Sequence, residues 1–130
     1  MDRFSQTTPR TMEIATSGME AQSRRLRIIS ENIANADTPG FRRKMLEFDV
    51  NAASGGVAVG GVTLDPADLP KIHDPSHPMA DAEGYYEGSS VELAIEVADA
   101  REAQRSYEAN LRIFDQTRRM SAALLDLLKR

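Results

Sequence analysis

Cysteine and tryptophan are absent from this chain, and aromatic residues make up only 5% of it. Without cysteine there are no disulfides, no thiolate nucleophile and no zinc–thiolate centre, a composition that suits an oxidising compartment. So few aromatics, with a mean hydropathy of −0.43, are thin material for a compact core. Apolar surface is therefore expected to be buried between helices, within the chain or between chains. No apolar run approaches the ~18 residues that cross a bilayer, so the chain is not read as membrane-spanning. The first ten residues hold no apolar segment of the kind a secretory leader carries. A Gly-rich phosphate loop is also missing, since Gly55-Gly56 and Gly60-Gly61 lack a following Lys-Ser/Thr or a helix start.

The net charge of −4 is unevenly spread over the 130 residues. Residues 1–45 carry 8 basic and 5 acidic groups, residues 46–90 carry 1 and 8, and residues 91–130 carry 7 and 7. Mixed signs at both ends and an acidic middle exclude the clustered basic stripe that nucleic-acid binding needs. The length is that of one domain.

What the chain does have is helical periodicity at both ends. Residues 1–11 are polar, contain Pro9 and are expected to be flexible. From Met12 an apolar seam follows alternating steps of three and four: Met12, Ala15, Met19, Gln22, Leu26, Ile29, Ile33, Ala36. This is a heptad register and predicts a coiled-coil helix over residues 12–37. Gly18, with Ala15 and Ala21, makes a small-residue face that lets another backbone come close, in the same molecule or a neighbouring one. Asn32 and Asn35 stand at the end of this helix. Thr38 before Pro39 is pushed out of the α region, and Pro39-Gly40 suits the centre of a type II turn.

Residues 38–88 then read as a β-containing, extended insert. Alternation at Leu46, Phe48 and Val50, and valines around Gly60-Gly61, predict a small hairpin or meander. Four prolines between Pro66 and Pro78 exclude helix and central strand. A helix is predicted over residues 89–130, with an N-cap at Ser89-Ser90. Its seam is Leu93, Val97, Ala100, Gln104, Tyr107, Leu111, Phe114, Arg118, Ser121, Leu125 and Leu128, and no Gly or Pro interrupts it after Val91. At 1.5 Å per residue it would be roughly 55 Å long, and it needs a partner along that length. The predicted fold is mainly α: N- and C-terminal heptad helices paired as a coiled coil, with a small β insert between them.

Candidate chemistry is sparse. His73-Asp74-Pro75-Ser76-His77-Pro78 has two imidazoles four residues apart, a spacing that holds zinc on a helix, but the prolines forbid the helix and a third ligand is missing. Ser76 beside His77 makes no triad without an oriented carboxylate. No catalytic, cofactor or metal residues are assigned, and a structural role for the His loop is expected.

These stretches also resemble a known family. Residues from Ala15 to Ile28, and then Glu31-Asn-Ile-Ala-Asn-Ala-Asp-Thr-Pro-Gly-Phe41, are similar to the N-terminal motif of bacterial flagellar rod and hook axial proteins. His73-Asp-Pro-Ser-His-Pro-Met-Ala-Asp-Ala-Glu-Gly-Tyr85 resembles the signature of the FlgC-type proximal rod family, as does Arg105-Ser-Tyr-Glu-Ala-Asn110 in the last helix. Ser90 stands where that family usually has Asn. The motif positions carried over are Gly18, Asn32, Asn35, Pro39, Gly40, Asp74, Pro75, His77, Pro78, Tyr107 and Asn110. The resemblance implies a non-enzymatic subunit of the periplasmic basal-body rod. It implies helical stacking with other rod proteins and with copies of itself, an outward-facing insert, and delivery by the flagellar type III export apparatus. The assembly seam would then be Met19, Leu26, Ile29, Ile33, Leu93, Val97, Tyr107, Leu111, Phe114, Leu125 and Leu128. The alternative from periodicity alone is a cytoplasmic coiled-coil adaptor or export chaperone.

Overall fold

A computed structural model describes residues 3–129, so residues 1, 2 and 130, the extreme ends of the expected flexible segment and last helix, lie outside the described residues. The order is α1 (Arg3–Ala34), β1 (Lys44–Val50), β2 (Val57–Leu64), β3 (Lys71–His73), β4 (Tyr85–Glu87) and α2 (Leu93–Leu128). The two helices run antiparallel, because Asn32 meets Glu96 while Gly18 meets Asn110.

α1 begins ahead of Met12, where the apolar pattern starts, and continues through Pro9. Proline removes one ladder donor there. α1 is 32 residues long, about 48 Å, against 36 residues for α2. The helix ends at Ala34, three residues short of the expected Asp37. Asn35 and Ala36 N–H groups bond back to Asn32 and Ile33 carbonyls in a tightened last turn. Gly40 has φ +75°, and the Phe41 N–H donates to the Thr38 carbonyl at 3.2 Å, closing the type II turn.

α2 starts later than Ser89-Ser90. Its N-cap position is Glu92, which makes no side-chain capping bond. Both serine hydroxyls are committed elsewhere: Ser89 Oγ accepts from Val91 N–H, and Ser90 Oγ accepts from Arg43 N–H.

The insert forms two separate antiparallel pairs, β1 with β2 and β3 with β4. Leu46 pairs with Val62 and Phe48 with Val59, so Gly60 and Gly61 together oppose Glu47 in a bulge. The first hairpin does not project freely. Ser17 Oγ accepts from Val57 N–H at 3.0 Å, Arg10 Nε donates to the Ser54 carbonyl at 3.4 Å, and Gly55 lies against Ile14. The hairpin is thus laid back along α1. The second hairpin, absent from the sequence reading, is held at its root by Gly88, whose N–H donates to the Pro70 carbonyl.

Candidate functional site

Two features stand out: a joint where α1, the insert and α2 meet, and the unequal faces of the helix pair. At the joint, buried Asn32 donates to the Lys44 carbonyl (2.9 Å) and accepts from the Lys44 N–H (3.0 Å). Its amide thus pairs with β1 as one residue of an adjoining strand would, leaving neither backbone group of Lys44 unmet.

Arg43, one residue earlier, reaches the other way. Its Nε donates to Glu96 and its Nη2 to Asp99 at 2.8 Å. Glu96 is fully buried, and its Oε1 also accepts from Asn32 Nδ2 at 3.4 Å. Burial disfavours the Arg43 charge, but the Glu96 bond and the charges of Glu96, Asp99 and Asp65 outweigh it and raise the guanidinium above its ordinary pKa. Arg25 adds looser contacts to Asp99 and Glu102 at 3.7 and 3.6 Å.

The turn completes the joint. Gly40 N–H donates to the Glu87 and Gly88 carbonyls, Ser90 N–H to the Phe41 carbonyl, and Arg43 N–H to Ser90 Oγ at 2.7 Å. The strand leaving α1 and the strand entering α2 are thereby stitched side by side. Arg42 ties the far side down through the Asp65 and Ala67 carbonyls. Asn32, Pro39 and Gly40 were singled out from the sequence, and Ser90 as a helix cap, whereas Arg43, Glu96 and Asp99 were not. A glutamate on the inward side of a long helix was the available signal, and apolar counting passes over it.

The helix faces follow a one-residue rule. The residues between the helices are Ala15, Gly18, Ala21, Arg25, Ile29 and Asn32 on α1, and Glu96, Asp99, Ala103, Ser106 and Asn110 on α2. One residue on, 100° round each helix, stand Met19, Leu26 and Ile33, and Val97, Tyr107 and Leu111. Because the helices are antiparallel, both rotated stripes turn to the same side. Met19 and Tyr107 indeed line one groove, of about 590 Å³, together with Ser23, Arg24 and Arg27. One residue back on α1 stand Ile14, Ser17 and Ile28, which meet the first hairpin.

The expected seam therefore sits mostly outside the intrachain contact. Of the expected assembly seam Ile29 alone is in the core; Met19, Leu26 and Phe114 are half-buried, and Ile33, Leu93, Val97, Tyr107, Leu111, Leu125 and Leu128 are exposed. Gly18 does admit a close neighbour, but the neighbour is α2 of the same chain: Asn110 lies on it, with its Nδ2 bonded to the Ser106 carbonyl. Asn35 donates to the Glu31 carbonyl and accepts from Thr38 Oγ1, securing the helix end.

The His loop is a packed element. His77 stacks on Tyr86 with ring centroids 3.8 Å apart, and its Nδ1 accepts from Met79 N–H. His73 meets the Tyr85 ring edge-on at 4.7 Å. Asp74 accepts from the Ser76 hydroxyl and N–H, which hold its carboxyl below the usual range. Pro75 packs over Gly84, whose φ of +88° no side chain would favour, and Pro78 is exposed. Among the described residues no three His, Asp or Glu side chains converge as metal ligands, and no helix is long and apolar enough to cross a membrane.

Two family models match the chain's two ends. One, described as "Flagella basal body rod protein", covers residues 12–42, and one described as "Flagellar basal body rod FlgEFG protein C-terminal" covers residues 82–127. The flagellar basal-body rod protein FlgC of Agrobacterium fabrum is 47% identical over 128 residues, covering 90% of this chain and 92% of that protein. The chain belongs to the FlgC family of rod proteins. FlgC of Escherichia coli O6:H1 is 35% identical over 88% of the chain and 93% of its own length. That of Bacillus subtilis is 29% identical over 92% and 97%. Membership decides between the two readings of the heptads: this is a structural subunit of the flagellar basal-body rod, and not an adaptor. The rod-protein models fall on α1 with the turn, and on β4 with α2; they take in Asn32, Gly40, Arg42, Ser90, Glu96 and Asp99 of the joint and stop just short of Arg43 and Lys44.

Proposed function

We propose that this FlgC-family chain works without catalysis, as a stiff two-helix strut whose open face packs on neighbouring rod subunits. The supporting observation is that open face: Ile33, Leu93, Val97, Tyr107 and Leu111, exposed in the single chain, and Met19, Leu26 and Phe114, half-buried there, form a long apolar strip. A strip of that size marks an interaction surface. Other rod proteins and further copies of this chain cover it in a helical array within the periplasm. The joint passes torque between helices and insert, because ion pairs and backbone bonds lock the two together. The chain reaches the rod through the flagellar type III export apparatus, threaded as an unpaired chain before α1 and α2 meet.

Leu111→Asp tests the central part. Leu111 lies outside the intrachain contact, so the purified variant should keep its circular dichroism spectrum and its urea midpoint. At a packed interface its carboxylate costs several kcal/mol, roughly 3–5 when unpaired. Complemented null cells should therefore secrete the variant yet fail to swim and lack rods. Normal swimming with Leu111→Asp would overturn the role of the open face.

A further inference from the structure

Among the described residues α2 packs on α1 and on no other element. The rest of its surface divides by rotation about the helix, counted at about 100° per residue from buried Ala103. Leu93, Val97, Gln104 and Leu111 stand roughly 80–120° one way, on the open face. Ile95, Glu102, Ala109, Ile113, Met120 and Leu127 stand roughly 80–120° the other way. This second flank lies on the side where the first hairpin leans on α1, and the hairpin does not reach it. Every large apolar residue of both flanks is exposed. A helix that is apolar on two flanks besides its packed side needs cover on each, and this chain covers neither.

The two flanks also match level by level. Leu93 and Val97 bracket Ile95, and Leu111 stands between Ala109 and Ile113. The polar breaks coincide, with Gln104 on the open flank and Glu102 on the other. Beyond Arg118, which Asp115 of its own chain holds, exposed Leu125 is level with Leu124 and Leu127. On the back of α2, Glu108 leans toward the open flank and Arg105 toward the other, with Arg101 and Arg112 between them. Glu108 and Arg105 have no ion pair among the described residues.

From this we infer that α2 of one copy packs beside α2 of a second copy, open flank against hairpin-side flank at the same level. A second copy is the occupant because the polar breaks then fall together and Glu108 of one α2 comes beside Arg105 of the other. The inference rests on the rod reading above and names what covers the open face. Two unlike flanks make a heterologous contact, which continues from copy to copy instead of closing into a dimer. The first hairpin, packed on α1 alone, then fills the space between neighbouring α1 helices. It keeps them farther apart than the α2 helices, so the row of copies curves.

The absence of cysteine allows a direct test. Leu111→Cys and Ile113→Cys are placed in separate chains and co-expressed in cells lacking the native chain, and the basal bodies are isolated and oxidised. A disulfide-linked pair of chains should form only when both variants are present, because each residue faces the other flank and not its own counterpart. Chains carrying both substitutions should give a ladder of linked multimers. A linked pair from either variant alone overturns the contact, as do basal bodies that contain both variants and give no link. Ile113→Asp should leave the circular dichroism and urea midpoint of the purified chain unchanged yet abolish swimming, and normal swimming would equally overturn the contact. Absence of an epitope-tagged native chain from basal bodies would instead overturn the rod role itself.

Discussion

A methyl group at position 18 would lie 2.6 Å from the Asn110 amide nitrogen and 2.8 Å from its Cγ. The amide cannot swing aside freely, because it is bonded to the Ser106 carbonyl at 3.0 Å. Helix propensity favours alanine by about 1 kcal/mol, while overpacking costs about 2 kcal/mol, so Gly18→Ala should destabilise the isolated chain by ~1 kcal/mol. With Asn110→Ala in place the same substitution should become stabilising, a sign change that urea unfolding of the four variants would read. At the joint, Glu96→Ala strips the buried partner from Arg43 but leaves Asp99. The expected loss is about 3 kcal/mol, the low end for breaking a buried pair. Denaturant midpoints measure it, and an unchanged midpoint would mean the pair holds nothing. Why Glu96 Oε2 is buried without a partner has no account in the packing around it.

At the scale of elements, each helix end and strand is fixed by a neighbour as much as by its own residues. Ser90 would cap α2 in isolation, but its hydroxyl serves Arg43 N–H, and the helix starts at Leu93 instead. The first hairpin has only two strands, marginal alone, and it persists by lying on α1 through Ser17 and Ile14. The β3–β4 pair is held from the loop side. Asp81 accepts from the Tyr85 and Glu83 N–H groups, Asp74 from Ser76, and both carboxyls are held below their ordinary pKa. A carboxyl depressed in the folded state stabilises fully above its unfolded value, near 3.9, and that contribution fades as pH falls through the lower folded value. On account of these groups the loop should thus be insensitive to pH from about 8 down to about 5, one unit above the unfolded value, and loosen only in stronger acid. Amide shifts of Ser76 and Tyr85 followed by NMR would show this. A transition of those amides near neutrality assigned to either aspartate would contradict it.

At the scale of the whole molecule, the sequence determined the plan: two heptad helices, a β insert, the stop at Thr38-Pro39-Gly40, and the family through motifs lying on α1, the His loop and α2. Those are local signals. Periodicity, proline and φ-permissive glycine act over a few residues, and the type II turn came out as the dipeptide required. Tertiary structure alone decided which face meets which partner. Apolar counting finds the largest apolar stripe, yet the helices of one chain meet mainly through alanine, glycine, asparagine and the Arg25–Asp99 ion pair, with Ile29, mostly one residue round from that stripe. Small residues let the backbones approach closely, which leaves the large apolar side chains turned outward. Whether a stripe faces its own chain or another depends on rotation about the helix axis, and that rotation is set by contacts such as Asn110 on Gly18 and Glu96 on Arg43. Those residues lie far apart in the chain, and no local pattern encodes their meeting.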